Sequence, residues 1–331
     1  MPKDSDIDVS IIIVSWNTSD LLKACLESIY NETVSCTFEV FVVDNASQDD
    51  SVEIVRQHFP NVNLIASREN LGFPKANNIA LKKCKGKNVL FLNPDTLILE
   101  RAIETMHEYL EHNPGVGAVG PKIYGADNKI QFDGARNFPN LFNVFLEFSR
   151  VAKHFPNHRI LGRFRMGDWD HENDRDVNSL DGSCMLIRRE ILSRIGFMDE
   201  DLFMYLEDMD LCYRIRKNGW IIHYLSAVKI IHLCGQSSKK VDHKSLFYTL
   251  ELEAYRQFNK KHYSKLHGLL VQVIVFIISL DVIIISVTGS KVQFLTKRFP
   301  RFFSEIYRDK FINFLHWSLT PDRVAAKAVS R

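Results

Sequence analysis

Two short stretches far apart in the chain hold residue types that could do chemistry together. In Leu92-Asn93-Pro94-Asp95 a carboxylate follows the apolar run Val89-Leu90-Phe91-Leu92. In Phe203-Met204-Tyr205-Leu206-Glu207-Asp208 two carboxylates stand side by side after aromatic residues, just before a helical pattern. A carboxylate at a strand end suits a divalent cation that bridges to phosphates. A second, distant carboxylate suits a general base. That division of labour fits displacement of a diphosphate, as sugar transfer from a nucleotide-sugar requires.

The elements that must position these residues alternate over residues 1–120. Val9–Val14 is a short β-branched run and predicts a buried strand. Leu21, Leu22, Cys25, Leu26 and Ile29 follow at helical spacing behind Thr18-Ser19-Asp20, which offers caps. Strands are expected at Val40–Val43, Asn63–Ala66 and Asn88–Leu92, and helices at Ser51–Phe59, Pro74–Cys84 and Ala102–Glu111. Such alternation implies a mostly parallel sheet that binds ligands at the carboxyl ends of its strands. Ser15-Trp16-Asn17, Asp44-Asn45 and Asn93-Pro94-Asp95 all fall at such ends. Gly115-Val116-Gly117-Ala118-Val119-Gly120 matches a dinucleotide-binding pattern in letters only. It follows a helix and runs into Pro121, whereas that motif must follow a strand and open a helix. A dehydrogenase is therefore not expected. Residues 125–180 lack a clear period and predict long loops. The pattern resumes with a strand at 183–187, a helix over Asp210–Lys217 capped by Gly219, and a strand over Ser226–His232.

The chain has 331 residues, 46% hydrophobic and 25% charged, ordinary values for a folded protein. Its net charge of +2 hides an asymmetry. Residues 1–259 hold 30 Lys+Arg against 36 Asp+Glu, and residues 260–331 hold 12 against 4. A basic end on an acidic body suggests an anionic partner for that end. None of the six cysteines forms a C-x-x-C pair, so buried free thiols in a reducing compartment are expected rather than a zinc site. The polar start Met1-Pro2-Lys3-Asp4-Ser5-Asp6 is not expected to act as a signal peptide.

Six motifs in order give the chain its resemblance. They are Ile12-Ile13-Val14-Ser15-Trp16-Asn17, Val42-Val43-Asp44-Asn45-Ala46-Ser47, Asn70-Leu71-Gly72-Phe73, Phe91-Leu92-Asn93-Pro94-Asp95, Tyr205-Leu206-Glu207-Asp208-Met209-Asp210-Leu211-Cys212 and Ile231-His232. Over roughly residues 8–240 the chain resembles an inverting family-2 glycosyltransferase of GT-A fold, in a rhamnosyltransferase-like branch. The resemblance implies an α/β, Rossmann-like mixed sheet flanked by helices. It implies that Ser15, Asn17, Asp44 and Asn45 hold the nucleoside, with Asp44 facing the base, where a carboxylate can accept an imide N–H. Asp44 beside Asn45 also reads as a plain turn. Asn70, Gly72, Lys75 and Asn78 surround a helix start whose N–H groups could face the diphosphate; a plain N-cap loop would look much the same.

Relatives commonly carry Asp-x-Asp where this chain has Asn93-Pro94-Asp95. Magnesium or manganese could still be held by Asp95 with substrate phosphates and water, and His232 resembles a further ligand. Asp208 is the expected general base and Glu207 the alternative; both also read as acidic residues in a helix's first turn. Asp181-Gly182-Ser183 is an expected acceptor contact. Trp169 is read as core.

The expected organisation is a catalytic unit over 1–259, with a nucleotide-binding half at 1–120 and an acceptor half at 121–259. A helical, membrane-associating extension over 260–331 follows. Gly268–Val287 is a 20-residue run whose only charge is Asp281. Its apolar residues contribute roughly −0.3 to −0.6 kcal/mol each against about +3 for the Asp, so insertion is open. The tail from Val292 to Leu319 mixes aromatic with basic residues, as an interfacial segment would. The alternative is a buried helix followed by a surface helix of a soluble domain.

The expected activity is inverting, metal-dependent transfer of a sugar, such as rhamnose from a dTDP- or UDP-sugar, to a saccharide or lipid-linked hydroxyl in cell-surface polysaccharide synthesis. The expected place is the cytoplasmic face of a membrane, with no nucleic-acid partner and a homo-oligomer left open. Two other readings are a nucleotide-sugar-binding scaffold without turnover and a sugar nucleotidyltransferase. The latter should show a glycine-rich, basic loop after the first strand, which Ser15-Trp16-Asn17-Thr18 is not.

Overall fold

The computed structural model describes residues 7–149, 151–233 and 244–288. A nine-stranded mixed sheet forms its centre. The first half runs β1 (Val9–Ser15), α1 (Ser19–Glu32), β2 (Phe38–Asp44), α2 (Ser51–His58), β3 (Asn63–Ala66), α3 (Phe73–Leu81), β4 (Asn88–Leu92), β5 (Thr96–Ile98) and α4 (Ala102–His112). The second half runs β6 (Val116–Tyr124), β7 (Ala135–Arg136), α5 (Leu141–Phe148), α6 (Val151–His154), β8 (Arg175–Asp176), β9 (Ser179–Leu180), β10 (Cys184–Arg188), α7 (Arg189–Ile195), α8 (Glu207–Lys217) and β11 (Ile221–His232). Two further helices, α9 (Lys244–His262) and α10 (Lys265–Thr288), complete it.

The strand order is β3-β2-β1-β4-β10-β6-β11-β5, with β8 paired to β11. β1, β2, β3 and β4 are parallel, so β1 is buried at every residue and is apolar except at Ser10 and Ser15. The sheet is less parallel than the alternation suggests. β10 lies antiparallel between β4 and β6, and β5 antiparallel to β11. The chain reaches β10 from the carboxyl edge of β4, so β10 must run back the other way.

Each face of the sheet carries its own core. Leu22, Cys25, Leu26 and Ile29 of α1 cover Ile11, Ile13 and Leu90. Ala76 and Ala80 of α3 and Leu211, Cys212 and Ile215 of α8 cover Ile12, Phe91 and Met185. Burying one such large apolar side chain contributes roughly 1.5–3 kcal/mol. A third cluster lies off the sheet, where Val144, Leu206 and Met209 meet Leu252, Tyr255, Phe258, Val271 and Val275. Through it α9 and α10 pack against the base of α8. α9 runs through residue 259, the expected end of the catalytic unit.

Several expectations change in detail. The Gly115–Gly120 pattern lies inside β6 from Val116 onward, as its flanks required. The segment 125–180 keeps a long loop between α6 and β8, as expected, but also carries short elements, because apolar Leu141–Phe148 seats one face of α5 on the third core. α8 starts at Glu207, three residues before the expected Asp210. Cys25, Cys84, Cys184 and Cys212 are buried free thiols and Cys36 is partly buried. Cys234 and the segment Val292–Leu319 lie outside the described residues. So do the side chains of 278–288, the second half of the apolar run. Among the described residues no helix is long and apolar enough to cross a membrane.

Candidate active site

Register brings the separate motifs to one edge. Ser15 pairs with Asp44, and Ile13 with Leu92, so three strand ends come level. Cys184 pairs with Leu92, and the Asn93 N–H donates to the Ser183 carbonyl at 2.9 Å, which seats Asp181–Ser183 beside Asn93. Thr96 pairs with His232, placing Asp95 against that histidine. Arg136 pairs with Ser179 across β7 and β9, two residues from Asp181. These ends enclose a cavity of about 450 Å³ that the first turn of α8 closes.

Of the expected residues, Asn45, Asn70, Gly72, Asn93, Asp95, Asp181, Gly182, Glu207, Asp208 and His232 line this cavity. Ser15, Asn17, Asp44, Lys75 and Asn78 do not. Asn17 instead latches two strand ends, its Oδ1 accepting from the Gln48 N–H at 2.7 Å. The Ser15 hydroxyl is taken by Thr18 at 2.9 Å. Asp44 is buried behind Asn45; its Oδ2 accepts from the Ser47 N–H at 3.0 Å, and its Oδ1 is buried without a partner among the described residues. Asn78 is spent on the loop before α8, donating to the Met198 carbonyl and Glu200 Oε1, both at 2.9 Å. Lys75 is exposed.

Asn45 shapes the wall on the α3 side. Its Nδ2 donates to Asn70 Oδ1 at 2.9 Å, and its Oδ1 accepts the Leu71 N–H at 2.8 Å. The bonds hold the loop that ends in Gly72, whose φ of 77° is left-handed. A Cβ there would meet the Phe203 carbonyl oxygen at 2.7 Å, so glycine is required on two grounds.

Tyr205 and Leu206 have φ values of 73° and 58°. Two successive non-glycine residues in the left-handed region cost about 1–3 kcal/mol each. This reversal starts α8 early and turns Glu207 and Asp208 into the cavity. Asp208 Oδ2 accepts from Arg136 at 3.0 Å and from the Gly182 N–H at 3.1 Å, while Oδ1 accepts the Met209 N–H at 2.7 Å. Arg136 also reaches Asp181 at 3.3 Å.

Burial pushes the Asp208 carboxyl up, against the pull of Arg136. Burial and then the Asp208 charge push Glu207 up to about 8, and its Oε2 is buried without a partner among the described residues. Burial works against Asp181 too, yet Arg136, His232 and the Ser183 N–H together hold it below the usual carboxylate range. Burial disfavours the Arg136 charge, but Asp208 and Asp181 hold its pKa above the ordinary arginine value.

In the same cavity, His232 Nε2 faces Asp95 Oδ1 at 3.2 Å and Asn93 Nδ2 at 3.4 Å. Both residues are under 10% exposed. One carboxylate and one imidazole fit a divalent cation whose remaining positions go to phosphate and water. Among the described residues no third His, Cys, Asp or Glu joins them in a cluster.

Sequence reasoning missed Arg136, because β7 is two residues long and carries no period. It also missed the contribution of α9, whose Glu251 and Tyr255 line the cavity. Trp169 is buried in the core as expected.

The family model described as Glycosyl transferase family 2 matches residues 10–196. The N-acetylglucosaminyl-diphospho-decaprenol L-rhamnosyltransferase of Mycobacterium tuberculosis is 28% identical over 233 residues, covering 67% of this chain and 75% of that protein. The rhamnosyltransferase WbbL of Escherichia coli K12 is 27% identical over 254 residues, covering 73% and 90%. The mannosyltransferase PcManGT from Pyrobaculum calidifontis, solved with GDP-Man and Mn²⁺, superposes with a TM-score of 0.58 at 16% identity, over 97% of this chain and 92% of that one. That likeness establishes a shared GT-A fold.

Proposed function

The chain belongs to glycosyl transferase family 2 and moves a sugar from a nucleotide-sugar, and we propose that it transfers a deoxyhexose such as rhamnose, with inversion, from a dTDP- or UDP-sugar to a hydroxyl of a lipid-linked saccharide. The observation that carries this reading is the presence of two sites in one cavity. Asp208 stands with Arg136 and Gly182, and Asp95 with His232, all in the same lining.

In this mechanism Asp208 takes the proton of the acceptor hydroxyl as the oxygen bonds to the anomeric carbon. The bond from that carbon to the diphosphate oxygen breaks, and the nucleoside diphosphate leaves with the electron pair. A base with a raised pKa accepts a proton more readily than an ordinary carboxylate. Arg136 and the Gly182 N–H fix the oxygen that does this. Asp95 and His232 would hold Mg²⁺ or Mn²⁺, which when bound neutralises charge on the leaving diphosphate. Asn45 and Asn70 shape the nucleotide side of the cavity.

The deoxysugar rests on the names of the two rhamnosyltransferase relatives and the lipid-linked acceptor on that of the first; a role in cell-surface polysaccharide synthesis belongs to the same proposal. A sugar nucleotidyltransferase is disfavoured, since β1 leads into Trp16-Asn17-Thr18 and no glycine-rich basic loop. The donor test is release of nucleoside diphosphate from dTDP-, UDP- and GDP-sugars with Mg²⁺, Mn²⁺ or EDTA, in the presence of membrane lipid extract. Release from one donor supports the reading; release from none, with extract present, supports a binding protein instead.

Association with the cytoplasmic face of a membrane belongs to the same proposal. Leu269, Val273 and Ile277 of α10 are 54%, 42% and 53% exposed along one stripe, while Val271 and Val275 face the third core. Replacing the three exposed residues by Ser should abolish sedimentation with anionic vesicles. Unchanged sedimentation, or none by the wild type, contradicts it.

A further inference from the structure

Beside the active site lies a second cavity, also of about 450 Å³, whose charges the transfer chemistry leaves unused. Arg159, Arg163, Arg175 and Arg216 line it. Among the described residues, eight other arginines are held by carboxylates or backbone carbonyls. Six have neither kind of partner, and these are four of the six. Two carboxylates, Asp168 and Asp176, share the lining, and Asp176 is taken by His223 at 2.6 Å. The arginines come from separate parts of the chain: the segment after α6, β8, and the last turn of α8. Arg175 is steadied over the Trp169 ring, 5.3 Å from its centroid. All four are exposed, so water screens their mutual repulsion and their guanidinium groups are accessible to an anion. Planar guanidinium forks are suited to phosphate oxygens.

A thin partition separates this cavity from the active site. Consecutive residues Arg136 and Asn137 line one cavity each, as do Arg165 and Met166. The Asn137 N–H donates to the Phe164 carbonyl at 2.8 Å, joining the two segments of the wall. Ile160 lines the arginine cavity and, like nearby Phe155, is more than half exposed, giving it an apolar edge.

We propose that the arginine cavity binds a phosphate or diphosphate group carried by the acceptor, with the apolar edge facing the chain attached to it. The identity of the group's carrier rests on the transfer reading above; the presence of the anion site does not.

Two measurements on the full chain separate the claims. The first is calorimetric titration with inorganic pyrophosphate in EDTA. Wild type and Asp95→Ala should bind alike, and Arg163→Gln/Arg216→Gln should bind at least about tenfold more weakly, two charge-assisted bonds being removed. No binding by wild type, or equal binding by the arginine variant, overturns the site. The second is transfer kinetics on acceptors with and without phosphate. The arginine variant should show a KM for the phosphate-bearing acceptor raised about tenfold or more, with kcat, donor KM and use of the phosphate-free acceptor unchanged. An unchanged KM, or an equal rise for both acceptors, overturns the link to the acceptor. Absence of any transfer by the wild type would overturn that link and the transfer reading together, and leave the pyrophosphate result to decide the anion site.

Discussion

Arg136 donates to Asp208 Oδ2 at 3.0 Å, and the same oxygen accepts the Gly182 N–H at 3.1 Å. The carboxylate is therefore aimed by a side chain from β7 and by the turn before β10, not by its own helix alone. The same guanidinium reaches Asp181 at 3.3 Å, joining the base to the expected acceptor turn.

From this follows a pH prediction. Burial raises the Asp208 pKa and the Arg136 charge opposes that rise. Removing the charge raises the pKa further, so the base ionises at higher pH. Arg136→Met should move the acid limb of the kcat profile upward by about 1–3 pH units, while Arg136→Lys moves it less. A limb that stays in place in Arg136→Met would show that Arg136 only fills space.

Asp95 and His232 meet at 3.2 Å because β5 and β11 pair there. Asp95→Ala and His232→Ala should each raise the Mg²⁺ or Mn²⁺ concentration needed for half-maximal rate by about tenfold or more. Their melting temperatures should change little, since the two residues lie at the cavity edge. Metal dependence identical to wild type in both variants would remove the pair from the cation site.

Much of the sheet was legible in the sequence, because parallel strands buried on both faces read as unbroken apolar runs. Asn88–Leu92, buried throughout, is a strand over those very residues, as is the partly exposed edge strand Asn63–Ala66. The strand-end clusters with Asn45, Asn93 and Asp95 lie where the alternation placed them. What stayed hidden depends on long-range geometry. Tyr205-Leu206 spells no turn, yet both residues take left-handed φ and start α8 early. Asn78 sits on the expected helix, but its amide turns to Met198 and Glu200 rather than to the cavity. Arg136 reaches Asp208 across 72 residues of chain, a distance no local period records.

A stability prediction comes from His171. It is fully buried, stacked on Trp169 at 4.0 Å, and both ring nitrogens lack partners among the described residues. Burial pushes its pKa from 6.5 down to about 4. Between those values the unfolded chain holds a proton that the folded protein does not, so stability falls as pH drops from 6.5 toward 4. His171→Phe should remove that contribution, on the order of 2–3 kcal/mol between pH 7 and 4. Urea unfolding at both pH values measures it; an acid sensitivity equal to wild type would contradict the buried neutral histidine.

The central claim is that Asp208 is the base. Its most direct test is transfer by Asp208→Asn beside Glu207→Gln, with nucleoside-diphosphate affinity measured in parallel. Asp208→Asn should lose about 10²- to 10⁴-fold in kcat with nucleotide affinity near that of wild type, and Glu207→Gln should lose less. Transfer by Asp208→Asn at a rate close to wild type would contradict the account, and a deeper loss in Glu207→Gln would move the base to that residue.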